Sequence, residues 1–233
     1  MTNLNAWAEN LTKEIYLEWK NNWPSWEPGF ATFFSPVTAY PELMIISLQP
    51  GGNGDIDKGD FKKAKNDFET GNFKLPPTNG YANKDTVMAR AIAKLFGDGK
   101  KLLENSVAFP LIFFRAPNIG KWKKLPRKDR MKMEEFSLTK AKEIIKKLRP
   151  QRILVVGMDT YDKLKNKLDL KNEKILRTRN RKNNPRMIVN AKYAGHEIFA
   201  VIHLSGKWSR PNNAEMDKLR EWFNEEFLSS KSL

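Results

Sequence analysis

Apolar positions along this chain follow two rhythms that alternate. Leu4, Trp7, Ala8, Leu11, Ile15 and Trp19 recur at helical spacing, which predicts a helix over Leu4 to Trp19 that ends before Pro24. Short apolar runs then predict strands at Met44 to Leu48, Ser106 to Phe114 and Arg152 to Gly157, the last with no polar break and so buried on both faces. Met187 to Tyr193 and Glu197 to Leu204, turning at Gly195, read as a hairpin that leads into a final central strand. Helical patterns fall between the strands, at Asp85 to Phe96, Leu138 to Leu148 closed by Pro150, and Thr160 to Leu168. Asn213 to Leu228 closes the pattern as an amphipathic helix. Strands alternating with helices point to a three-layer α/β/α domain.

Between these elements lie two irregular stretches. Trp23, Trp26, Phe30, Phe33 and Phe34 form an aromatic, proline-punctuated connection that packs over the sheet edge. Gly51 to Pro77 is a long polar excursion with a short helix near Lys62 to Phe68. No Ser/Gly- or Pro-rich linker divides the 233 residues, so a single domain is expected. The first residues show no basic segment followed by an apolar one, and no apolar run reaches membrane-spanning length. The expectation is a soluble, cytoplasmic monomer.

Composition narrows the chemistry. With no cysteine, thiolate metal sites, iron–sulfur clusters and cysteine nucleophiles are excluded. His196 and His203 are the two histidines, too few and too far apart in sequence to build a histidine metal site. Gly51-Gly52-Asn53-Gly54 lacks the Gly-Lys-Ser/Thr of a phosphate loop. Asp55, Asp57 and Asp60 resemble a calcium loop only until Asn66, where a bidentate Glu is required. Neither a metal nor an organic cofactor is expected.

The net charge of +15 is concentrated. Residues 121–132 hold seven basic residues against one acid, and residues 177–186 hold five against none, so +11 of the +15 lies in two segments that read as loops. Clustering of this kind is the electrostatic footprint of a phosphate backbone. Trp122, amid the first cluster, is either a base-stacking residue or a core anchor for the loop.

Four motifs in order carry a resemblance: Ser47-Leu48-Gln49-Pro50-Gly51, Phe113-Phe114-Arg115-Ala116-Pro117, Leu154-Val155-Val156-Gly157 and His203-Leu204-Ser205-Gly206. Together they resemble the uracil-DNA glycosylase superfamily over residues 40 to 228. The resemblance implies a three-layer α/β/α sandwich with a central, mainly parallel four-stranded sheet, in one domain over residues 1–233. In it, residues 1–40 are the N-terminal helix and aromatic connection, and residues 41–228 the core. It also implies hydrolysis of the N-glycosidic bond of a flipped deaminated or damaged base in DNA.

Carried over residue by residue, the resemblance gives His203 the developing charge on the leaving base, and Gln49 the attacking water. Pro50 and Gly51 go with Gln49 to the water and sugar, Asn53 to substrate binding beside them, Pro110 to the base edge and Ser205 to a phosphate, while Arg115 either meets a phosphate or pairs a buried carboxylate. Lys207 and Trp208 fall in the final loop, where Trp208 is either an apolar wedge into the duplex or a rim aromatic. DNA is the implied partner, through residues 121–132 and 177–186. Three positions depart from the family pattern: Gln49 replaces Asp, Asn or Ala, Pro110 replaces the base-recognising Asn, and Leu204 replaces a proline. A carboxamide orients a water but does not take its proton. The alternative is therefore a catalytically inactive relative that keeps the fold to bind DNA or a nucleotide.

Overall fold

The computed structural model describes residues 3–51, 65–179, 185–205 and 210–228. Helix α1 (Leu4–Asn22) starts where the Asn3 carboxamide accepts the N–H groups of Asn5 and Ala6. It buries Ala8, Leu11, Ile15 and Trp19 and ends three residues past the expected stop, just before Pro24. Five further elements follow the expected order: β1 (Leu43–Ser47), α2 (Val87–Phe96), β2 (Val107–Pro110), α3 (Arg127–Leu148) and β3 (Arg152–Val156). Then come α4 (Met158–Lys167), β4 (Lys171–Thr178), β5 (Arg186–Tyr193), β6 (His196–Val201) and α5 (Asn213–Trp222). A π-helical turn, Phe223–Leu228, extends α5.

The fold is α/β, and its sheet differs from the expected four strands. It has six, in the order β2-β1-β3-β6-β5-β4. β2, β1, β3 and β6 run parallel, whereas β5 and β4 are added antiparallel at one edge. Every residue of β1, β2 and β3 is buried, so this half of the sheet is covered on both faces. β4 is the unexpected strand. Almost all of its residues are exposed, and its Lys, Asn, Glu and Arg side chains give no alternation to read.

Two other boundaries move by four residues or more. α3 begins at Arg127 rather than Leu138, because its first turn, Arg127 to Arg130, is charged on every side and Met133 is its first buried residue, yet the same helical backbone continues. The basic segment 121–132 is therefore not a loop: it comprises most of the short helix Ile119–Lys124 and the first residues of α3. β2 stops at Pro110, and residues 111–114 stay buried in an irregular path. Trp122 is 4% exposed and meets Trp26 edge-on, 6.4 Å between centroids, which makes it the anchor of its helix and not a stacking platform.

Strand order fixes where a ligand can enter. From β1 the chain crosses to β2 on one side and then returns past β1 to β3 on the other, so the order reverses between β1 and β3. Outside the carboxyl ends at such a reversal the connections diverge and leave a crevice. Register sets the residues of that edge level with one another. Ser47 pairs with Pro110 and Val156, Val156 with Val201, and Val201 with Ile188. β5 starts and β4 ends at this same edge, with Arg186 opposite Thr178.

Candidate functional site

The first junction is bound tightly to the chain that follows β2. Ser47 and Leu48 carbonyls accept the N–H groups of Leu111 and Ile112 at 2.7 and 2.8 Å, and the Pro50 carbonyl accepts that of Ala116 at 3.2 Å. Gln49 joins the same seam, its Nε2 donating to the Phe114 carbonyl at 2.8 Å. That bond fixes the carboxamide with Oε1 as its remaining acceptor. Beneath the junction, the buried Tyr81 hydroxyl donates to Ser47 Oγ at 2.8 Å. Burial pushes the Tyr81 phenol up to about 12, and the bond to Ser47 opposes part of the rise.

On the β2 side, Pro110 is buried as the last residue of its strand. Arg115 is held by its backbone: its N–H donates to the Gly29 carbonyl at 2.9 Å, and its carbonyl accepts the Trp26 indole N–H at 2.9 Å. It lines a cleft of about 470 Å³ with Phe30, Phe68 and Phe73. That cleft flanks the β2 edge and contains neither Gln49 nor His203.

The second junction is built around Gly157, which ends β3 and opens α4 with φ +105. Its N–H continues the ladder to the Val201 carbonyl at 2.8 Å. The dihedral favours glycine, and a Cβ here would crowd Thr160 Oγ1 at 3.1 Å and touch His203 Cδ2 at 3.5 Å. His203, two residues beyond β6, thus rests against the β3–α4 turn. The Ser205 N–H donates to His203 Nδ1 at 3.3 Å. With Nδ1 accepting, the proton of the neutral ring sits on Nε2. Burial holds the imidazole below its ordinary pKa, and the Asp159 carboxylate opposes part of that shift.

These positions bring together two groups at one edge of the sheet: Gln49, Pro50 and Gly51 after β1, and His203 and Ser205 after β6. β3 lies between them, so the two junctions stand about 10 Å apart, two strand spacings. Arg115 is one strand further out on the β2 side. Asn53, Lys207 and Trp208 lie outside the described residues. Asp159 and Tyr81 are additions that the motifs do not name. Asp159 has one signal in sequence, its place two residues after the glycine that ends an apolar strand. Tyr81 has none, since its partner Ser47 is far off in the chain.

Among the described residues no group of three or more His, Asp or Glu could hold a metal ion. No helix among them is long and apolar enough to cross a membrane. Comparison with protein-family models and with curated proteins finds no match for this chain.

Proposed function

We propose that the chain is a uracil-DNA glycosylase-like protein, of three-layer α/β/α architecture, that hydrolyses the N-glycosidic bond of a flipped deaminated or damaged base in DNA. The observation that carries this reading is the geometry at His203: a partly buried imidazole two residues beyond the carboxyl end of β6, whose Nδ1 accepts the Ser205 N–H, which leaves Nε2 as the donor of the neutral ring. As the bond from C1′ to the base nitrogen breaks, its electron pair goes to the base, and water supplies oxygen to C1′ and a proton to the departing base. The Nε2–H of His203 is a hydrogen-bond donor suited to that growing negative charge. A neutral donor avoids the energetic cost of burying a cation before the charge develops.

Charge placement supports the same reading. Residues 121–132 follow β2 in the chain, and Arg177, Arg179 and Arg186 lie where β4 ends and β5 starts, at the edge that holds Gln49 and His203. The edge from β2 to β4 spans five strand spacings, about 24 Å. Such a front opposes several successive phosphates of one strand. In this reading Gln49 Oε1 orients the water, Pro50 and Gly51 shape the loop over the sugar, and Arg115, Ser205 and Lys207 serve phosphates. Asn53, Pro110 and Trp208 keep the roles that the resemblance implies.

One observation favours a second reading, an inactive relative that binds DNA or a nucleotide. Gln49 cannot accept the proton of a water as a base does, and its amide nitrogen is committed to Phe114. The deciding experiment incubates the protein and His203→Ala with oligonucleotides carrying uracil, hypoxanthine or xanthine, followed by alkaline cleavage. Strand breaks that disappear with His203→Ala support the enzyme. An absence of breaks at high protein excess, with binding retained, leaves the inactive relative.

A further inference from the structure

The geometry points to the ribbon of β4 and β5 as a nucleic-acid-docking element that fixes one strand of the partner in register with His203, its outer edge carrying the phosphates. This rests on the reading of the chain as a DNA-binding protein and assigns the register to one element of it.

Position is the first argument. The Met187 carbonyl accepts the Ile202 N–H at 3.0 Å, which sets Arg186 level with His203 on the neighbouring strand. One strand further out, the Arg179 N–H donates to the Pro185 carbonyl at 2.7 Å. The ribbon's cationic end is thus about 10 Å from His203, across two strand spacings.

Charge is the second. In residues 171–179 and 185–193 there are six cations, Lys171, Lys174, Arg177, Arg179, Arg186 and Lys192, against Glu173 on the ribbon and two acids that pair with it from outside, Asp169 with Lys171 at 2.7 Å and Asp162 with Arg186, so cations still outnumber acids six to three. Glu173 is turned toward α4, where it accepts from the Tyr161 hydroxyl at 2.6 Å and pairs with Lys165 at 2.8 Å. Lys171, Lys174 and Arg177 lie along the exposed edge strand, whose register with β5 shifts between Lys171 and Lys174 and again between Ile175 and Arg177, so its cations are spread over the edge and are not a row on one face.

Rigidity is the third. Arg186 makes a bidentate pair with Asp162 of α4, at 2.8 and 2.7 Å, and Tyr161 beside it is fully buried. A ribbon held in this way is ordered before its partner arrives, so docking does not bear the entropy of ordering it. The remaining anionic surface, a membrane, is disfavoured by the edge itself. Ile175 is the single exposed large apolar residue on the ribbon among those described, too little to enter an acyl boundary.

Cations on an edge strand also block pairing with other edges, so solubility alone is the competing role. The test is fluorescence anisotropy with a labelled uracil-containing oligonucleotide of roughly twenty nucleotides, single- and double-stranded, across a salt series. It uses the whole chain, Arg177→Gln/Arg179→Gln, and Lys123→Gln/Lys128→Gln, which removes equal charge from the opposite flank. The ribbon variant is expected to bind about tenfold more weakly, with a salt slope smaller by about 1.4 on single strands or about 1.8 on duplex. It should also lose phosphate-ethylation interference beside the uracil, while the opposite-flank variant keeps that pattern. Circular dichroism and an unchanged thermal midpoint establish that both variants fold. Equal affinity and slope in the ribbon variant overturn the proposal, as does the same interference change in both variants. Binding to phosphatidylserine vesicles with no binding to nucleic acid overturns it too. If uracil stays uncleaved while ribbon-dependent binding persists, the glycosylase reading falls and this one stands.

Discussion

His203 rests against the backbone of Gly157, close enough that a single added carbon on the glycine would stand 3.5 Å from its Cδ2. That carbon would touch the ring in ordinary van der Waals contact, and the tighter approach is to Thr160, so the turn that His203 packs against is what the substitution strains. Gly157→Ala adds that carbon at φ +105 and brings it 3.1 Å from Thr160 Oγ1. The expected outcome in a urea titration is a loss of about 1–3 kcal/mol, with the His203 ring resonances displaced. An unchanged midpoint and spectrum would mean that the turn relaxes without cost.

Protonation of His203 should be visible in stability. Because burial lowers its folded pKa below 6.5, the unfolded chain binds more protons in the interval between the folded value and 6.5. Stability from this group is complete above pH 6.5 and declines as pH falls toward the folded value. An NMR titration of the two histidines, with His203→Ala for assignment, should place the His203 midpoint below 6.5. A midpoint above 6.5 contradicts both the burial argument and the neutral-donor role.

Tyr81 supports the first junction from below. Tyr81→Phe removes the donor to Ser47 Oγ and leaves that buried hydroxyl with one partner fewer, at an expected cost of about 1–2 kcal/mol. Alkaline spectrophotometric titration should lose a component at about 12. If binding of oligonucleotides weakens as well, the junction depends on this buried bond for its shape.

Asp162→Asn breaks the bidentate pair that holds the start of β5 to α4. Asp162 is partly exposed, so the cost to global stability is small, about 1 kcal/mol. The local effect should be larger. Hydrogen exchange at residues 186–188 should accelerate relative to α3, and equal acceleration everywhere would show the pair to be a global contact only.

Sequence reading succeeded where one apolar rhythm had one structural outcome. β1, β3 and β6 were legible because buried parallel strands are unbroken apolar runs, and each ran into a polar junction, which is how Gln49, Gly157 and His203 stood out. β4 was illegible for the opposite reason: an edge strand exposed at Lys171, Lys174 and Arg177 has no apolar face to alternate with. The start of α3 was missed because Arg127 to Arg130 cover a helix turn with charge. Residues 111–114 misled in the other direction, since apolar side chains are as content in a buried irregular path as in a strand. The links between distant residues, Gln49 to Phe114 and Tyr81 to Ser47, depend on pairing register and leave no local trace.

β6 lies between β3 and β5 in the sheet, yet it follows β3 in the chain by about 40 residues. During synthesis at roughly 5–20 residues per second, the apolar flank of β3 emerges and then waits about 2–8 seconds for its neighbour. The antiparallel pair cannot occupy its final position in that interval, because β5 reaches the parallel strands only through β6. Assembly of the nascent chain is thus ordered by topology: the last strand made joins the two halves of the sheet, and any delay before it leaves an open edge accessible to chaperones or to aggregation.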